Sequence, residues 1–367
     1  MREFAIFLIL FAVVVFIILV FRTIFGRSSK RQRPEVRREN ANPMIKPGDH
    51  DWRARGAFNP AAIQDSTGRV HMLYRAVGGD GLSRLSYASS ESGASIDDSL
   101  PYPVFAIENP RQNRDEDGPS GRIRHYDPVM YPSGGSWGGV EDPRMVSIDG
   151  TIYVTFNAFD GWDYLRVGIT SISEDDFFHK RFTWSKPELI SPKGKLNKNW
   201  MLFPEKINGK FAILHSINPK VQIEYVGRLE EITKGSRTIE STYGGGRPGK
   251  GWDTWVRSAG PPPVKTDRGW LVLYHAIDKR ESHKYKLGAM LLDLKDPTKI
   301  IARAPSPILE PEMWYENDWK PGIVYACGAL VKKGELYIYY GGGDKHVCAA
   351  HTPIKPLLDW MLKNKNA

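Results

Sequence analysis

Five segments of this chain share one design, a turn glycine followed by alternating apolar residues. They are TGRVHMLYRA (67–76), DGTIYVTFNA (149–158), NGKFAILHSI (208–217), RGWLVLYHAI (268–277) and KGELYIYYGG (333–342). Side chains alternate between the two faces of a strand, so a period of two marks a strand with one face buried. Glycine supplies the positive φ of a tight turn with little strain. Each segment therefore reads as the second strand of a β-hairpin. The glycines at 68, 150, 209, 269 and 334 are spaced by 82, 59, 60 and 65 residues.

A first strand precedes each segment: FNPAAI, EDPRMVSI, FPEKI, AGPPPV and ACGALV. Most are followed by a third, such as SRLSYASS, LRVGITSI and YKLGAMLLDL. Three or four strands repeated five times predict an all-β, five-bladed β-propeller over residues 46–356. A β-sandwich is the alternative, but it does not require five similar hairpins. In a propeller the innermost strands converge on one axis. The equivalent starts Asn59, Asp142, Glu205 and Gly260 are then expected to face a common ligand. Unpaired polar groups gathered at such a place are costly to bury without a purpose.

The N-terminus reads differently. Phe4 to Phe21 is an unbroken apolar run of 18 residues, long enough as a helix to span roughly 27 Å of hydrocarbon. No small-residue cleavage site follows it. The sequence thus predicts one N-terminal transmembrane helix within residues 1–26, a basic linker at 27–45 and a C-terminal tail at 357–367. Arg22, Arg27, Lys30, Arg31, Arg33, Arg37 and Arg38 follow the run. That excess predicts a single-pass protein with a cytoplasmic body, and a lipid bilayer as a partner. Of the net charge of +9, residues 1–39 supply +5, from eight Lys/Arg and three Glu, leaving the body at +4. A nucleic-acid partner is not indicated. Cys327 and Cys348 are the only cysteines, which excludes a disulfide framework and a cysteine-based zinc site but leaves one disulfide open. No metal or cofactor is expected.

The motifs EDPR (141–144), AGPPPV (259–264), WLVLYHA (270–276) and YYGGGD (339–344), taken with LFPEKINGKFAIL, resemble glycoside hydrolase family 130 over roughly residues 45–356. The resemblance implies five-bladed propellers acting on β-mannosides. It matches Asp142 to the catalytic aspartate, a general acid thought to work through a substrate hydroxyl. It matches Asn59, Arg75 and Asp344 to residues that hold the sugar in the −1 subsite, Trp252 to an aromatic beside the AGPPP strand, and His275 to a histidine at the reaction centre. Residue by residue, plainer readings stand alongside these. Asp142 also suits a turn before Pro143, Arg75 a salt bridge, His275 a packed core, and Asp344 a glycine-rich turn.

Much of the family is phosphorolytic, and the phosphorylases resembled carry arginine where this chain has Glu205 and Ser216, with a third basic residue at the place of Val256. A carboxylate there opposes phosphate and suits a general base for water. The sequence therefore predicts an inverting glycoside hydrolase cleaving β-mannosidic linkages, with Asp142 as acid and Glu205 as base. The alternatives are a β-mannoside phosphorylase releasing mannose 1-phosphate, with inorganic phosphate as co-substrate bound by Arg257, His275 and Lys206, and a non-catalytic, membrane-tethered glycan- or protein-binding propeller. The expected partner is a β-mannose-containing oligosaccharide or glycoconjugate. GGGRPGKG (244–251) nearly spells a phosphate-binding P-loop, but Gly251 replaces the required Ser/Thr and no strand–loop–helix context surrounds it. Residues 108–138 read as an inserted loop.

Overall fold

The structure, a computed structural model, describes residues 33–107, 135–160, 165–234, 239–242 and 251–364. Pro34–Ala367 belong to one compact unit. After β1 (Arg37–Arg38) come β2 (Gly56–Gln64), β3 (Val70–Val77), β4 (Leu82–Ser90) and β5 (Asp98–Phe105), then β6 (Gly138–Ile148), β7 (Thr151–Phe159), β8 (Leu165–Ser173), helix α1 (Glu174–Phe178) and β9 (Glu188–Leu189). The chain continues through β10 (Met201–Leu202), β11 (Phe211–Ser216), β12 (Gln222–Val226), helix α2 (Glu230–Thr233), β13 (Trp255–Ala259), β14 (Val264–Thr266), β15 (Gly269–Ile277), β16 (Lys286–Leu292) and β17 (Ile300–Arg303). It ends with β18 (Val324–Lys332), β19 (Glu335–Gly342), β20 (His346–Pro353) and helix α3 (Ile354–Lys363).

All five glycine-led segments form the second strand of an antiparallel hairpin, in β3, β7, β11, β15 and β19. Their assembly differs from the expectation. Among the described residues the strands make four open sheets, of four, three, five and eight strands, and not a closed ring of five blades. In the eight-stranded sheet, β4 and β6 run parallel through Leu82 with Gly138 and Ser83 with Gly139, which fuses the first two hairpin units. Gly139 permits this union. Its φ is +103°, and a Cβ there would collide with the Ser83 carbonyl. The all-β expectation is corrected as well, because three α-helices occur among the described residues.

Apolar residues from within a sheet and from neighbouring sheets fill the interior. Leu73 and Leu85 pack with Val140, Met145, Val154 and Phe156, while Met201 and Leu214 pack with Trp270, Val272 and Tyr274. Helix α3 packs against β17 and β20 and adds Leu357, Leu358, Trp360 and Met361 to a core cluster drawn from β15–β20. Each such side chain contributes roughly 1.5–3 kcal/mol when fully buried, which makes the strand ends a rigid frame for polar groups.

The stretch read as a linker contributes β1, which pairs Arg37 with His351 and Arg38 with Ala350 on β20. Arg38 Nε and Nη2 fork onto the buried Glu316 carboxylate at 2.8 and 3.0 Å. The predicted anchor at residues 4–21 lies outside the described residues. Among the described residues, no helix is long and apolar enough to cross a membrane. The membrane-anchored form, the bilayer partner and the single-pass localisation are therefore withdrawn as unsupported. Most of the inserted loop and of GGGRPGKG also falls outside the described residues. Cys327 and Cys348 are free and buried.

Candidate active site

A strand that carries proline loses a ladder donor, so proline inside a sheet demands a bulge. Two first strands carry such a step, Asn59-Pro60 in β2 and Asp142-Pro143 in β6. The pairing register slips at both, between Phe58 and Ala61 and between Glu141 and Arg144. Asn59 and Asp142 take positive φ, 51° and 50°. The bulges turn both side chains out of the alternation and toward each other, and Asn59 Nδ2 donates to Asp142 Oδ1 over 2.7 Å.

Arg75, at the end of β3 opposite Phe58, binds this pair. Its Nη1 lies 3.3 Å from Asp142 Oδ1, and its Nη2 donates to Glu141 Oε1 at 2.7 Å and to Ser136 Oγ at 2.9 Å. Its Nε donates to Ser83 Oγ at 2.9 Å, and the guanidinium lies 4.8 Å from the centre of the Phe58 ring. Burial works against ionisation of Asp142. The charges of Arg75 and Arg144 and the Asn59 hydrogen bond outweigh it and hold the carboxyl below its usual range. Arg144 ties the centre together, donating from Nη1 to the Asp142 carbonyl and from Nε to the Gly260 carbonyl, each at 2.7 Å.

His275 is fully buried and stacks on Tyr325 with ring centres 4.0 Å apart. The Ala326 N–H donates to its Nε2 at 2.9 Å, so the proton of the neutral ring resides on Nδ1. Burial, reinforced by Arg144, drives its pKa down to about 3. Near neutral pH His275 is uncharged and accepts the Ala326 N–H.

On the other side of Asp142, amides lead to a cleft. Asn157 Nδ2 lies 3.4 Å from Asp142 Oδ2 and donates to Asn199 Oδ1 at 3.0 Å, and Asn199 Nδ2 donates to Ser258 Oγ at 3.1 Å. Lys198, Asn199, His215, Ser216, Arg257 and Ser258 line this cleft, and no carboxylate lines it among the described residues. Burial lowers His215 to about 4, which leaves Lys198 and Arg257 as its fixed cations. Lys198 also acts electrostatically on both Glu141 and Asp142.

The predicted residues separate into groups. Asp142, Asn59 and Arg75 are in direct contact, and His275 stands behind Gly260 on the same framework. Asp344, paired with Lys320 at 3.2 Å, lines a cavity of about 340 Å³ with Phe58, Arg55 and Trp319. Trp252 packs with its ring 5.9 Å from that of Tyr274 and close over Gly288. Glu205 lies elsewhere. Its side chain is 46% exposed and is ion-paired with Lys265 at 2.6 Å. The adjacent Lys206 reaches Asp149, at the turn end of β6, about 20 Å along that strand from Asp142 by ordinary strand rise.

Glu141, Asn157, Lys198 and Asn199 were missed. Aligned at their ends, the repeats YRA and FNA place Asn157 where Arg75 stands, a signal present in the sequence. Lys198 precedes Asn199 as Phe58 precedes Asn59 and Glu141 precedes Asp142, but no proline marks that step.

Residues 23–363 match the family profile Glyco_hydro_130, described as beta-1,4-mannooligosaccharide phosphorylase. The chain is 33% identical over 338 residues to the 1,2-beta-oligomannan phosphorylase of Thermoanaerobacter sp., covering 88% of this chain and 99% of that protein. The fold is similar to that of the beta-1,2-mannobiose phosphorylase from Listeria innocua in complex with beta-1,2-mannobiose, with a TM-score of 0.65 at 24% identity over 89% of this chain and 99% of that one. A second similar structure comes from a report that this family of mannoside phosphorylases contains glycoside hydrolases targeting beta-1,2 mannosidic linkages in Candida mannan. It has a TM-score of 0.65 at 24% identity and covers 88% of this chain and 94% of that one.

Proposed function

We propose, from the premise that this chain belongs to glycoside hydrolase family 130 and is an enzyme acting on β-mannosidic linkages, that it cleaves them by phosphorolysis. The observation that carries this reading is the cleft joined to Asp142 through Asn157 and Asn199, with Lys198 and Arg257 among its lining and no acid among the described residues there. Inorganic phosphate at neutral pH carries one to two negative charges, and fixed cations with nearby amide donors suit it. A hydrolytic inverting site calls for a carboxylate base opposite the acid. Glu205, expected in that role, is held by Lys265 on an exposed face.

In the proposed reaction a phosphate oxygen attacks the anomeric carbon from the cleft side while the glycosidic C–O bond breaks. The departing oxygen receives a proton from Asp142, directly or through a sugar hydroxyl. The proton left on the new phosphate ester restores Asp142. The balance is one C–O bond formed, one broken, and one proton moved from hydrogen phosphate to the leaving alcohol. Inversion of a β-mannoside gives α-mannose 1-phosphate. Asn59 and Arg75 orient the acid, and the cavity beside Asp344 offers space for sugar. The name of the Thermoanaerobacter relative makes β-1,2-linked mannosides the first substrates to try. The test is whether bond cleavage requires phosphate and yields the sugar phosphate.

A further inference from the structure

Successive side chains of a regular strand point to opposite faces. Glu141 and Asp142 nevertheless meet the same guanidinium, because the bulge at Asp142-Pro143 breaks the alternation. Arg75 is 1% exposed and its fork is divided: Nη2 lies 2.7 Å from Glu141 and Nη1 3.3 Å from Asp142. Ser136 Oγ donates to the same Glu141 oxygen at 2.7 Å, so Glu141 is held firmly on its arm.

We propose that Glu141 is a positioning residue for the proton donor, taking up much of the Arg75 charge so that Asp142 can hold a proton in the reacting complex. This rests on the reading of Asp142 as the acid. The charged and titratable groups around the pair are Arg75 from β3, Arg144 on β6, Lys198 ahead of β10, His275 on β15, Tyr325 and Cys327 on β18, and Asp344 after β19. The cations facing Asp142 would fix it as a carboxylate, a poor acid, if nothing opposed them. Glu141 supplies that opposition from a buried position, where charge interactions are poorly screened. Its Oε1 accepts from both Arg75 Nη2 and Ser136 Oγ, the arrangement of an ionised carboxylate.

The experiment is the pH dependence of kcat/KM for a β-mannobiose at saturating phosphate, with the full chain and with Glu141→Gln, Glu141→Asp, Ser136→Ala and Asp142→Asn. The basic limb of such a profile reports the acid in the phosphate-bound enzyme that meets the mannoside. Glu141→Gln should move that limb down by about one pH unit, as expected for loss of a close like charge. Glu141→Asp should leave it in place even where kcat falls, because the charge remains. Ser136→Ala, which loosens Glu141 and keeps both carboxyls, should move it the same way by about half as much, and this variant decides the matter if Glu141→Gln does not fold. An unmoved limb in folded Glu141→Gln, or a Glu141→Asp limb displaced as far as that of Glu141→Gln, overturns the role of Glu141. Full activity in Asp142→Asn would instead refute the acid assignment on which the proposal rests.

Discussion

Asn59 and Asp142, 83 residues apart in sequence, are joined by a 2.7 Å hydrogen bond between the bulges of two different hairpins. A bond to a charged group contributes about 1.5–3 kcal/mol. Asn59→Ala should therefore lower kcat/KM by roughly 10–100-fold, as the acid loses its orientation. Asp142→Asn should cost on the order of 10²–10⁴-fold, the usual range for a general acid. Steady-state kinetics on purified, folded variants measures both. Equal kinetics for Asn59→Ala and the parent enzyme would deny the bond a part in orienting the acid.

Gly341 lies where a Cβ would strike Asn59 Oδ1. Gly341→Ala is predicted to displace Asn59 and to reproduce much of the Asn59→Ala defect. Overpacking a tight site typically costs about 1–3 kcal/mol, so the melting temperature should fall as well. A variant with unchanged kinetics and unchanged melting would show that the site has slack absent from this geometry.

Lys198 and Arg257 line the cleft assigned to phosphate. Lys198→Ala and Arg257→Ala should each raise the KM for phosphate by about 10-fold or more, since charge-assisted hydrogen bonds are the strong ones. The KM for the mannoside should change far less. Initial rates over a grid of both substrates separate the two effects, and a defect confined to the mannoside would contradict the assignment.

Glu205→Gln removes an exposed ion pair with Lys265. Such pairs contribute about 0–1 kcal/mol, so stability should stay within about 1 kcal/mol and activity within about twofold of the parent. Near-complete loss of activity would return Glu205 to the reaction centre.

His275 carries a pH prediction for stability. Its ordinary pKa is 6.5 and its folded value is about 3, so between those values the unfolded chain binds the extra proton. Stability from keeping the ring neutral is complete above about pH 6.5 and is lost as pH falls toward 3. Denaturant midpoints measured at pH 7, 6, 5 and 4 should decline in the parent protein. The decline should be shallower in His275→Gln, which still offers an acceptor to the Ala326 N–H. Parallel declines would place the acid sensitivity elsewhere.

The hairpins were legible because turn glycine and alternation act locally. Asn59, Asp142 and Arg75 were legible for a similar reason, since an Asn-Pro or Asp-Pro step inside a strand forces a bulge and Arg75 ends the strand opposite. Glu205 misled because its proline precedes it, in the loop after β10. The corresponding positive φ falls six residues earlier at Asn199, 62°, where no proline marks it. The joining of β4 to β6 through Gly139 is a contact between distant segments, and nothing in the local pattern announces it. The same holds for Lys198, whose importance comes from the cleft it lines.

Phosphorolysis is tested most directly by product identity. The full chain is incubated with β-1,2- and β-1,4-mannobiose, with and without inorganic phosphate, and mannose and mannose 1-phosphate are resolved by chromatography. The account predicts α-mannose 1-phosphate in an amount that follows phosphate, with negligible cleavage in its absence. Free mannose released at a rate indifferent to phosphate, with no sugar phosphate formed, would contradict it.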